Sequence, residues 1–281
     1  MELSIDTSTN TAGIALSLHG EIIEEISWQT EYNHTVELVP KMIHLLESND
    51  KSIRDVKVII VAQGPGSFNG LRVGIATAKG LAVSLNVPIV SIGTLETIAY
   101  PYADTGHKIC SILQAGRGEI ATSSFQTRNG KWTVLKEAHI ASLDDLCSEI
   151  NDTTNPAIEG TSFQPPYPHS FGDISGSGDT VRNPLSSSAF NCRSNKTMFC
   201  GEINQEQLAR INQQLGYNAL FEEDSNWKRA GYLAALGWCR IDRGDFDDPA
   251  ALQPLYLRKP SITKPKRRNH DAMSNMQPRS R

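Results

Sequence analysis

The sequence predicts an α/β protein made of two related units, and three observations indicate this fold class. Three short strand-like stretches open the chain, helical stretches then alternate with apolar ones, and a similar succession begins again near residue 108. A chain of 281 residues is long enough to give both units a buried core. We therefore expect βββα-type organisation in each half.

The first unit is predicted to occupy residues 1–104 in the order βββαβα. Its expected strands are short apolar or alternating stretches bounded by turn residues, at 2–5, 12–18, 21–28, 56–62 and 88–92. Its expected helices are His34–Glu47, the segment after the Gly-Pro-Gly turn, and a segment that begins at Thr94. The apolar run at 56–62 is typical of a buried central strand.

The second unit is predicted to occupy residues 105–257 and to begin as a smaller βββα arrangement. Its three strands are KICSILQA, GEIATSSFQ and KWTVLKEAHI, followed by a helix at Leu143–Ile150, a further strand in TMFCGEI and two more helices. Residues 153–196 are rich in Ser, Pro, Asn and Gly without any sustained period, which predicts a disordered insertion. Residues 258–281 are predicted to be a basic flexible tail.

Charge and cysteine content narrow the functional classes. The formal net charge is −4 overall, whereas residues 258–281 carry eight Lys/Arg and one Asp, so an acidic body of −11 precedes a tail of +7. The five cysteines are dispersed and odd in number without a CxxC pair, so neither a disulfide framework nor a zinc knuckle is indicated and we expect reduced thiols. The N-terminus lacks the pattern of a secretion signal and no apolar run is long enough to span a membrane, so we expect a cytoplasmic protein.

The stretch AQGPGSFNGLRVGIATAKGLA at 62–82 is the most distinctive motif. A Gly-rich turn between a strand and a helix is typical of a phosphate site, but neither the P-loop nor the GxGxxG spacing is present. Ser67 fits the N-cap position of the helix better than the position of a nucleophile. Gly70, Gly74 and Ala78 recur every four residues, so another backbone could approach this face closely. Internal packing and a partner helix are both open at this point.

Three motifs together resemble the TsaB (YeaZ-type) family. They are IDTSTNTAGIAL at the N-terminus, GPGSFNGLRVGIATAKGLA in the middle and LQPLYLRKP near the C-terminus, and they have the family's order and spacing from about Met1 to Pro260 apart from the insertion. The middle motif is long and specific. The resemblance implies the actin/hexokinase/Hsp70-like (ASKHA) fold with two related subdomains.

The resemblance also implies a function as an interaction protein without catalytic residues of its own. Members of this family pair with a TsaD-like transferase, which threonylcarbamoylates adenosine 37 of tRNA, and a TsaE-like ATPase joins them. ATP and metal are then expected on the partner subunits, no cofactor in this chain, a homodimer when the chain is alone, tRNA contact mainly through the partner, and no membrane contact. The implied partner surface is a helix bundle comprising Val36, Val39, Ile43, Gly70, Leu71, Gly74 and Ala78.

The sequence departs from the family pattern in several places. Asn69 replaces a usual Thr, and the stretch QAGRGEIA has Gln114 in place of an acid, Gly116 in place of an arginine and Ala121 in place of a tyrosine. Two stretches, IEG and CGE, compete for the family's Gly-Glu strand end, and we favour CGE because a helical pattern follows it.

Enzymatic alternatives are weighed on the same residues. Asp6, Thr7 and Ser8 match the first phosphate hairpin of an actin-like ATPase or small-molecule kinase, and could form a vestigial one, but the sequence shows no second Asp-x-Gly-Gly phosphate loop. His34 and His44 are ten positions apart, so the paired-histidine metal site of a TsaD-like protein is absent and no metal ligand is predicted. An aspartic peptidase using Asp6 and Asp104 is a distant alternative. The basic tail could follow a tRNA backbone or be solvated.

Overall fold

The structure is a computed structural model that describes residues 1–30, 34–151, 162–163, 196–221 and 229–258. Most of the predicted insertion at 153–196 and nearly all of the predicted tail at 258–281 therefore lie outside the described residues, where those predictions stay untested. None of the helices in the described ranges is both long and apolar enough to cross a membrane. The four described cysteines are buried and unpaired.

The first lobe contains five strands and three helices, and every element expected from the sequence is present. The strands are β1 (Glu2–Asp6), β2 (Thr11–Leu18), β3 (Glu21–Gln29), β4 (Val58–Gly64) and β5 (Ile89–Gly93). The helices are α1 (His34–Ser48), α2 (Phe68–Leu85) and α3 (Thr94–Ala99). The sheet order is β3-β2-β1-β4-β5, with β1, β2 and β3 antiparallel and β1, β4 and β5 parallel.

The second lobe repeats this order and is more complete than the sequence suggested. Its strands are β6 (Lys108–Gly116), β7 (Glu119–Arg128), β8 (Lys131–Ala141), β9 (Ser162–Phe163), β10 (Thr197–Gly201) and β11 (Ala219–Phe221). Its helices are α4 (Leu143–Asn151), α5 (Gln205–Leu215) and α6 (Arg229–Ile241). Strands β8-β7-β6-β10-β11 follow the same order and directions as the first sheet, and β9 is added at the edge. Strand β11, three residues long, was missed because so short a run has no measurable period.

The two lobes exchange their last helices. Helix α3 follows the first sheet in sequence but packs on β6, β7 and β10 of the second, whereas α6 follows the second sheet and packs on β1, β2 and β3 of the first. The predicted boundary at residue 104 lies between the two sheets. That division placed α6 in the second unit, but α6 packs on the first sheet. The exchange makes the region between the lobes a single apolar core, which includes Ile60, Leu95 and Leu236.

The remaining sheet faces are covered by their own helices. On strand β4, the side chains of Ile59 and Val61 lie on the face covered by α1 and α2, and that of Ile60 lies in the core between the lobes. A strand covered on both faces reads as a continuous apolar run, which explains why 56–62 was recognisable. Helices α4 and α5 cover the outer face of the second sheet.

Glu96 of α3 joins the two lobes through a hydrogen bond that the Trp132 indole Nε1 donates to its Oε1 at 3.1 Å. Burial raises the pKa of Glu96 to about 7 from 4.5, and the Trp132 hydrogen bond opposes this only in part. The folded carboxyl group thus binds its proton more tightly than the unfolded chain does. Its contribution to stability is present below pH 4.5 and is lost as the pH rises through about 7.

We therefore expect Glu96→Gln to flatten the fall in the free energy of unfolding across this pH range. Denaturant unfolding at several pH values measures the slope, and Glu206→Gln on the exposed surface of α5 is the control. The same slope in wild type and Glu96→Gln would contradict the assignment.

Candidate functional site

The turn between β1 and β2 is the position at which an actin-like ATPase would bind phosphate. In this chain the carboxylate of the turn, that of Asp6, is ion-paired within the protein. Asp6 is fully buried, and its Oδ1 accepts hydrogen bonds from the Ser8 backbone N–H at 2.9 Å and from Ser8 Oγ at 2.6 Å. Its Oδ2 accepts from Nε of Arg229, at the start of α6, at 3.0 Å. The Arg229 guanidinium also donates to Thr9 Oγ1 at 2.7 Å and to the Thr11 carbonyl at 2.6 Å. In an actin-like ATPase this carboxylate would be needed by a metal-bound phosphate. Here it is paired with the Arg229 guanidinium instead.

The outer side of the same hairpin is closed by the Gly-Pro-Gly turn and α2. The Ser67 N–H donates to the Ser8 carbonyl at 2.7 Å, and the Thr7 hydroxyl donates to the Gly70 carbonyl at 2.7 Å. A Cβ atom on Gly66 would lie 2.0 Å from the Ser8 carbonyl oxygen, so the two backbones are in direct contact. The side chains of Asp6, Thr7 and Ser8, predicted as a possible vestigial phosphate hairpin, are all enclosed by the chain itself, and that assignment stays a prediction.

The sequence left open whether the small residues Gly70, Gly74 and Ala78 of α2 pack within the chain or against a partner helix, and the structure shows that they pack within the chain. Gly70, Leu71, Gly74 and Ala78 are buried within the chain, where Gly70 lies against the Thr7 carbonyl and Gly74 against the Thr7 hydroxyl. Their predicted place at a partner surface is therefore corrected. The 3.6-residue period identified the face that another backbone approaches, but that backbone is the chain's own first hairpin. Ser67 is confirmed as the N-cap, since its Oγ accepts from the Gly70 N–H at 3.3 Å.

Helix α1 presents the other part of the predicted surface to solvent. Val36, Val39 and Ile43 are 70%, 46% and 50% exposed, while Leu38 and Leu45 on the opposite face pack against the first sheet. Apolar side chains at i, i+3 and i+7 form one stripe along a helix. These three residues are available to a partner, and their role in an interface stays a prediction.

The exposed side of α2, on the same face of the sheet as α1, was missed by the sequence reasoning. Ala76, Gly80 and Val83 lie at i, i+4 and i+7, and Val83 is 71% exposed. A Cβ on Gly80 would meet nothing within 4 Å. The sequence did contain a signal for this side of the helix, since Ala76 and Gly80 are small residues four positions apart. The longer series of Gly70, Gly74 and Ala78 drew attention to the opposite side.

The turn between β6 and β7 is the topological counterpart of the first hairpin in the second lobe. Gly116, Arg117 and Gly118 all have left-handed backbone conformations, with φ of 75°, 59° and 77°. This turn contains no aspartate and is not an Asp-x-Gly-Gly phosphate loop. The Gln114 N–H instead donates to Glu202 Oε2 at 3.0 Å, and its side-chain amide donates to the Glu202 carbonyl at 2.6 Å.

The CGE stretch, favoured from the sequence, lies at the end of a strand of the second sheet, and its choice over IEG stays a prediction. Residues Thr197–Gly201 form β10, which pairs in parallel with β6, and Glu202 follows directly. The competing IEG stretch lies outside the described residues. Gln114, a departure from the family pattern, therefore links the end of β6 to the end of β10 through its hydrogen bonds to Glu202.

The other chemical candidates do not form a site. His34 is buried, and burial lowers its pKa, whereas His44 on the same helix is exposed. Asp6 is buried and ion-paired while Asp104 is exposed, so the two carboxylates do not share an environment as a peptidase dyad requires. In the ranges that the structure covers, no group of three or more His, Cys, Asp or Glu side chains could hold a metal ion.

The fold and the enclosed hairpin define a two-lobed ASKHA protein whose β1–β2 turn is occupied by the chain's own side chains. Comparison with known proteins then gives the family. The family model described as "TsaD: tRNA N6-adenosine threonylcarbamoyltransferase" matches residues 22–222. The chain is 40% identical over 156 residues to the "tRNA threonylcarbamoyladenosine biosynthesis protein TsaB" of Bacillus subtilis, covering 56% of this chain and 68% of that protein.

Further relatives agree with this. The TsaB protein of Escherichia coli is 30% identical over 133 residues, covering 46% of this chain and 57% of its own length. The solved structure "YeaZ from Pseudomonas aeruginosa" superposes with a TM-score of 0.59 at 20% identity, over 91% of this chain and 99% of that chain, and shows the same fold. The chain belongs to the TsaB (YeaZ-type) family, and the ASKHA fold class is confirmed.

Proposed function

We propose that this chain is a noncatalytic subunit that binds a TsaD-like transferase and so supports threonylcarbamoylation of adenosine 37 in tRNA. The observation that carries the proposal is an enclosed, ion-paired phosphate hairpin in a chain that exposes an apolar helix stripe. A nucleotide-hydrolysing member of this fold needs an open hairpin and a free carboxylate, and here Asp6 is fully buried against Arg229. The names of the TsaB relatives place them in the same tRNA modification.

The partner surface in this proposal is the exposed side of α1 together with that of α2. Val36, Val39 and Ile43 supply apolar area that gains free energy when water is removed from it. Beside them, Ala76 and Gly80 leave room for a partner helix to approach the α2 backbone closely. This arrangement of large residues on one helix and small ones on the next suits a helix bundle formed across two chains.

The other partners follow from the same proposal. A second copy of the chain would use the same helices, so a homodimer of the free protein and the complex with the transferase would compete. A TsaE-like ATPase would join the complex, ATP and metal would be bound by the partner subunits, and the assembly would work in the cytoplasm.

The proposal is tested by placing a charge on the exposed stripe. We expect Ile43→Asp to remain folded, because the side chain faces solvent, and to weaken binding to a TsaD-like transferase about thirtyfold or more, the effect of a central interface residue. The matched control is Leu208→Asp, an exposed leucine on α5 of the second lobe, which should bind like wild type. Isothermal titration measures both affinities, and circular dichroism checks the fold.

Two results would count against the proposed function. Equal binding by Ile43→Asp and Leu208→Asp would remove α1 from the interface. Micromolar ATP binding and turnover by the isolated chain, lost in Asp6→Asn, would instead support the ATPase alternative.

A further inference from the structure

The exposed side of α2 continues beyond the partner surface toward a cleft between the lobes. Its exposed residues at a spacing of four form one row of side chains along the helix, namely Phe68, Arg72, Ala76 and Gly80. Ala76 and Gly80 belong to the proposed partner surface, and Phe68 lies about 12 Å from Ala76 along the helix axis. A partner packed on Ala76 and Gly80 therefore needs to extend by only about two helical turns to reach Phe68.

The cleft that begins at Phe68 is open and mainly apolar, with a volume of about 470 Å³. Its walls come from the Gly-Pro-Gly turn with the start of α2, the β6–β7 turn, and residues 255–258. The apolar side chains that line it include Leu113, Ala121 and Ile140 of the second lobe. Apolar surface left open in this way gains free energy when another molecule removes water from it.

Phe68 and Tyr256 form an aromatic pair at the rim of this cleft. Their ring centroids are 5.1 Å apart, the rings are tilted by 32°, and the side chains are 43% and 38% exposed. The Arg72 guanidinium lies 5.2 Å from the centre of the Phe68 ring. Aromatic side chains and arginine are the residue types most enriched at the energetically important positions of protein interfaces.

Tyr256 is held in place by the backbone that leads to it. The Leu255 N–H donates to the Gln63 carbonyl at 2.9 Å, and the Lys79 ammonium donates to the Leu252 carbonyl at 3.0 Å. These hydrogen bonds attach the segment before Tyr256 to β4 and α2. A partner that covers the Tyr256 ring therefore does not have to order this segment, and the entropy cost of binding is reduced.

The charge of the cleft differs from that of the chain as a whole. Asp and Glu outnumber Lys and Arg in the chain by 31 to 27, but among the described residues no Asp or Glu lines the cleft. Its charged lining residues there are Arg117, at the tip of the β6–β7 turn, and Arg258, which is paired with Glu119. Within the ranges that the structure covers, neither Arg72 nor Arg117 forms an ion pair. The cleft therefore complements a negatively charged group.

We infer that this cleft extends the partner surface and takes up a segment of the transferase in which an apolar side chain stands next to a carboxylate. The apolar side chain packs on the Phe68–Tyr256 pair, and the carboxylate pairs with Arg117. A wholly apolar segment would leave the arginines without a counter-charge, and a purely acidic one would leave the rings in water. The inference rests on the proposed function, to which it adds a second contact with the same partner.

The aromatic part of the inference is tested by isothermal titration of the full chain with a TsaD-like transferase. We expect Tyr256→Ala to weaken binding about tenfold, and Tyr256→Phe, which keeps the ring, to bind like wild type. The control is Tyr217→Ala, at a side chain 97% exposed in the second lobe, which should also bind like wild type. Circular dichroism checks the fold of each variant.

The charged part is tested by the salt dependence of the same affinity. Between about 0.1 and about 1 M salt, the Debye length falls from about 10 to about 3 Å, so an exposed charge pair is screened. We expect the affinity of Arg117→Gln to fall less over this range than that of wild type, because the pair is already absent. Arg54→Gln, in the turn before β4 and at the opposite end of that strand, should keep the wild-type dependence.

The occupant of the cleft is identified by photocrosslinking in the complex. Tyr256→benzoylphenylalanine keeps an aromatic ring at the rim and reacts with the side chain that covers it. We expect mass spectrometry to find a transferase peptide in which an apolar residue adjoins Asp or Glu. The same substitution at Tyr217 should give no crosslink to the transferase.

Several results would overturn the inference. They are equal transferase affinity for Tyr256→Ala and Tyr217→Ala, equal salt dependence for Arg117→Gln and Arg54→Gln, and a crosslink at position 256 that contains no acidic transferase residue. Wild-type affinity of Tyr256→Ala with slower tRNA modification by the assembled complex would instead assign the cleft to a substrate, and would reject the inference as well.

Failure of this inference is distinguishable from failure of the proposed function. A weakened complex in Ile43→Asp together with an unchanged one in Tyr256→Ala would retain the proposed function and reject only the cleft contact. No complex between the wild-type chain and the transferase would reject both.

Discussion

Replacing Gly70 with alanine is expected to lower the free energy of unfolding by about 3 kcal/mol or more. The new Cβ would lie 2.0 Å from the Thr7 carbonyl oxygen, which belongs to the backbone and cannot rotate away, and 3.1 Å from His34 Nε2. Helix α2 would have to move off the first hairpin, which would also lengthen the hydrogen bond from the Thr7 hydroxyl to the Gly70 carbonyl. Urea unfolding of the purified chain measures the loss.

The same helix contains a matched control. Gly80 lies in the interior of α2 with open space around its Cα, so Gly80→Ala adds a methyl group to solvent and improves helix propensity. We expect this variant to be more stable than wild type by about 1 kcal/mol. If Gly70→Ala were instead as stable as Gly80→Ala, the close contact between α2 and the first hairpin would be refuted.

Replacing Arg229 with methionine is expected to lower the free energy of unfolding by about 3–5 kcal/mol at neutral pH. The change leaves the Asp6 carboxylate fully buried without its cation, and the Thr11 carbonyl loses the hydrogen bond from the Arg229 guanidinium. The effect should be much smaller in the double variant Asp6→Asn with Arg229→Met, because the charge that needs compensation is then absent. A double-mutant cycle in urea measures this coupling.

The control is an ion pair of similar geometry at the surface. Arg210 donates to Asp144 at 2.7 Å, but the two side chains are 45% and 59% exposed. Arg210→Met should cost less than about 1 kcal/mol, since solvent screens such pairs and replaces their hydrogen bonds. Equal losses in Arg229→Met and Arg210→Met would show that burial of the Asp6 pair has no energetic consequence.

Much of the fold could be predicted from local sequence because each signal depends on neighbours in the chain. The alternating stretches of β1, β2 and β3, the continuous apolar run of β4 and the cap at Ser67 all act within a few residues. The second lobe was underestimated where these local signals are weak. Its completeness is visible only when β6, β10 and β11 are found side by side in the order already seen in the first sheet.

The candidate site could be predicted less well. Asp6 and Arg229 are 223 positions apart, and no pattern in either segment indicates that they pair. The stripe of Val36, Val39 and Ile43 was identified correctly as one face of a helix, because periodicity is a property of the helix itself. Whether a face is covered is a property of the whole molecule, and for Gly70 and Gly74 the cover proved to be the chain's own hairpin.

The sequence by itself determined the family, the fold class and the position of most elements, since these follow from motifs, periodicity and turn residues. Only the tertiary structure decided that the phosphate hairpin is enclosed, that the Gly70 face points inward, and that Phe68, Arg117 and Tyr256 meet at one cleft. The physical reason is that burial and charge pairing depend on segments that are distant in the sequence. The exchange of α3 and α6 between the lobes and the path of residues 252–258 bring these segments together.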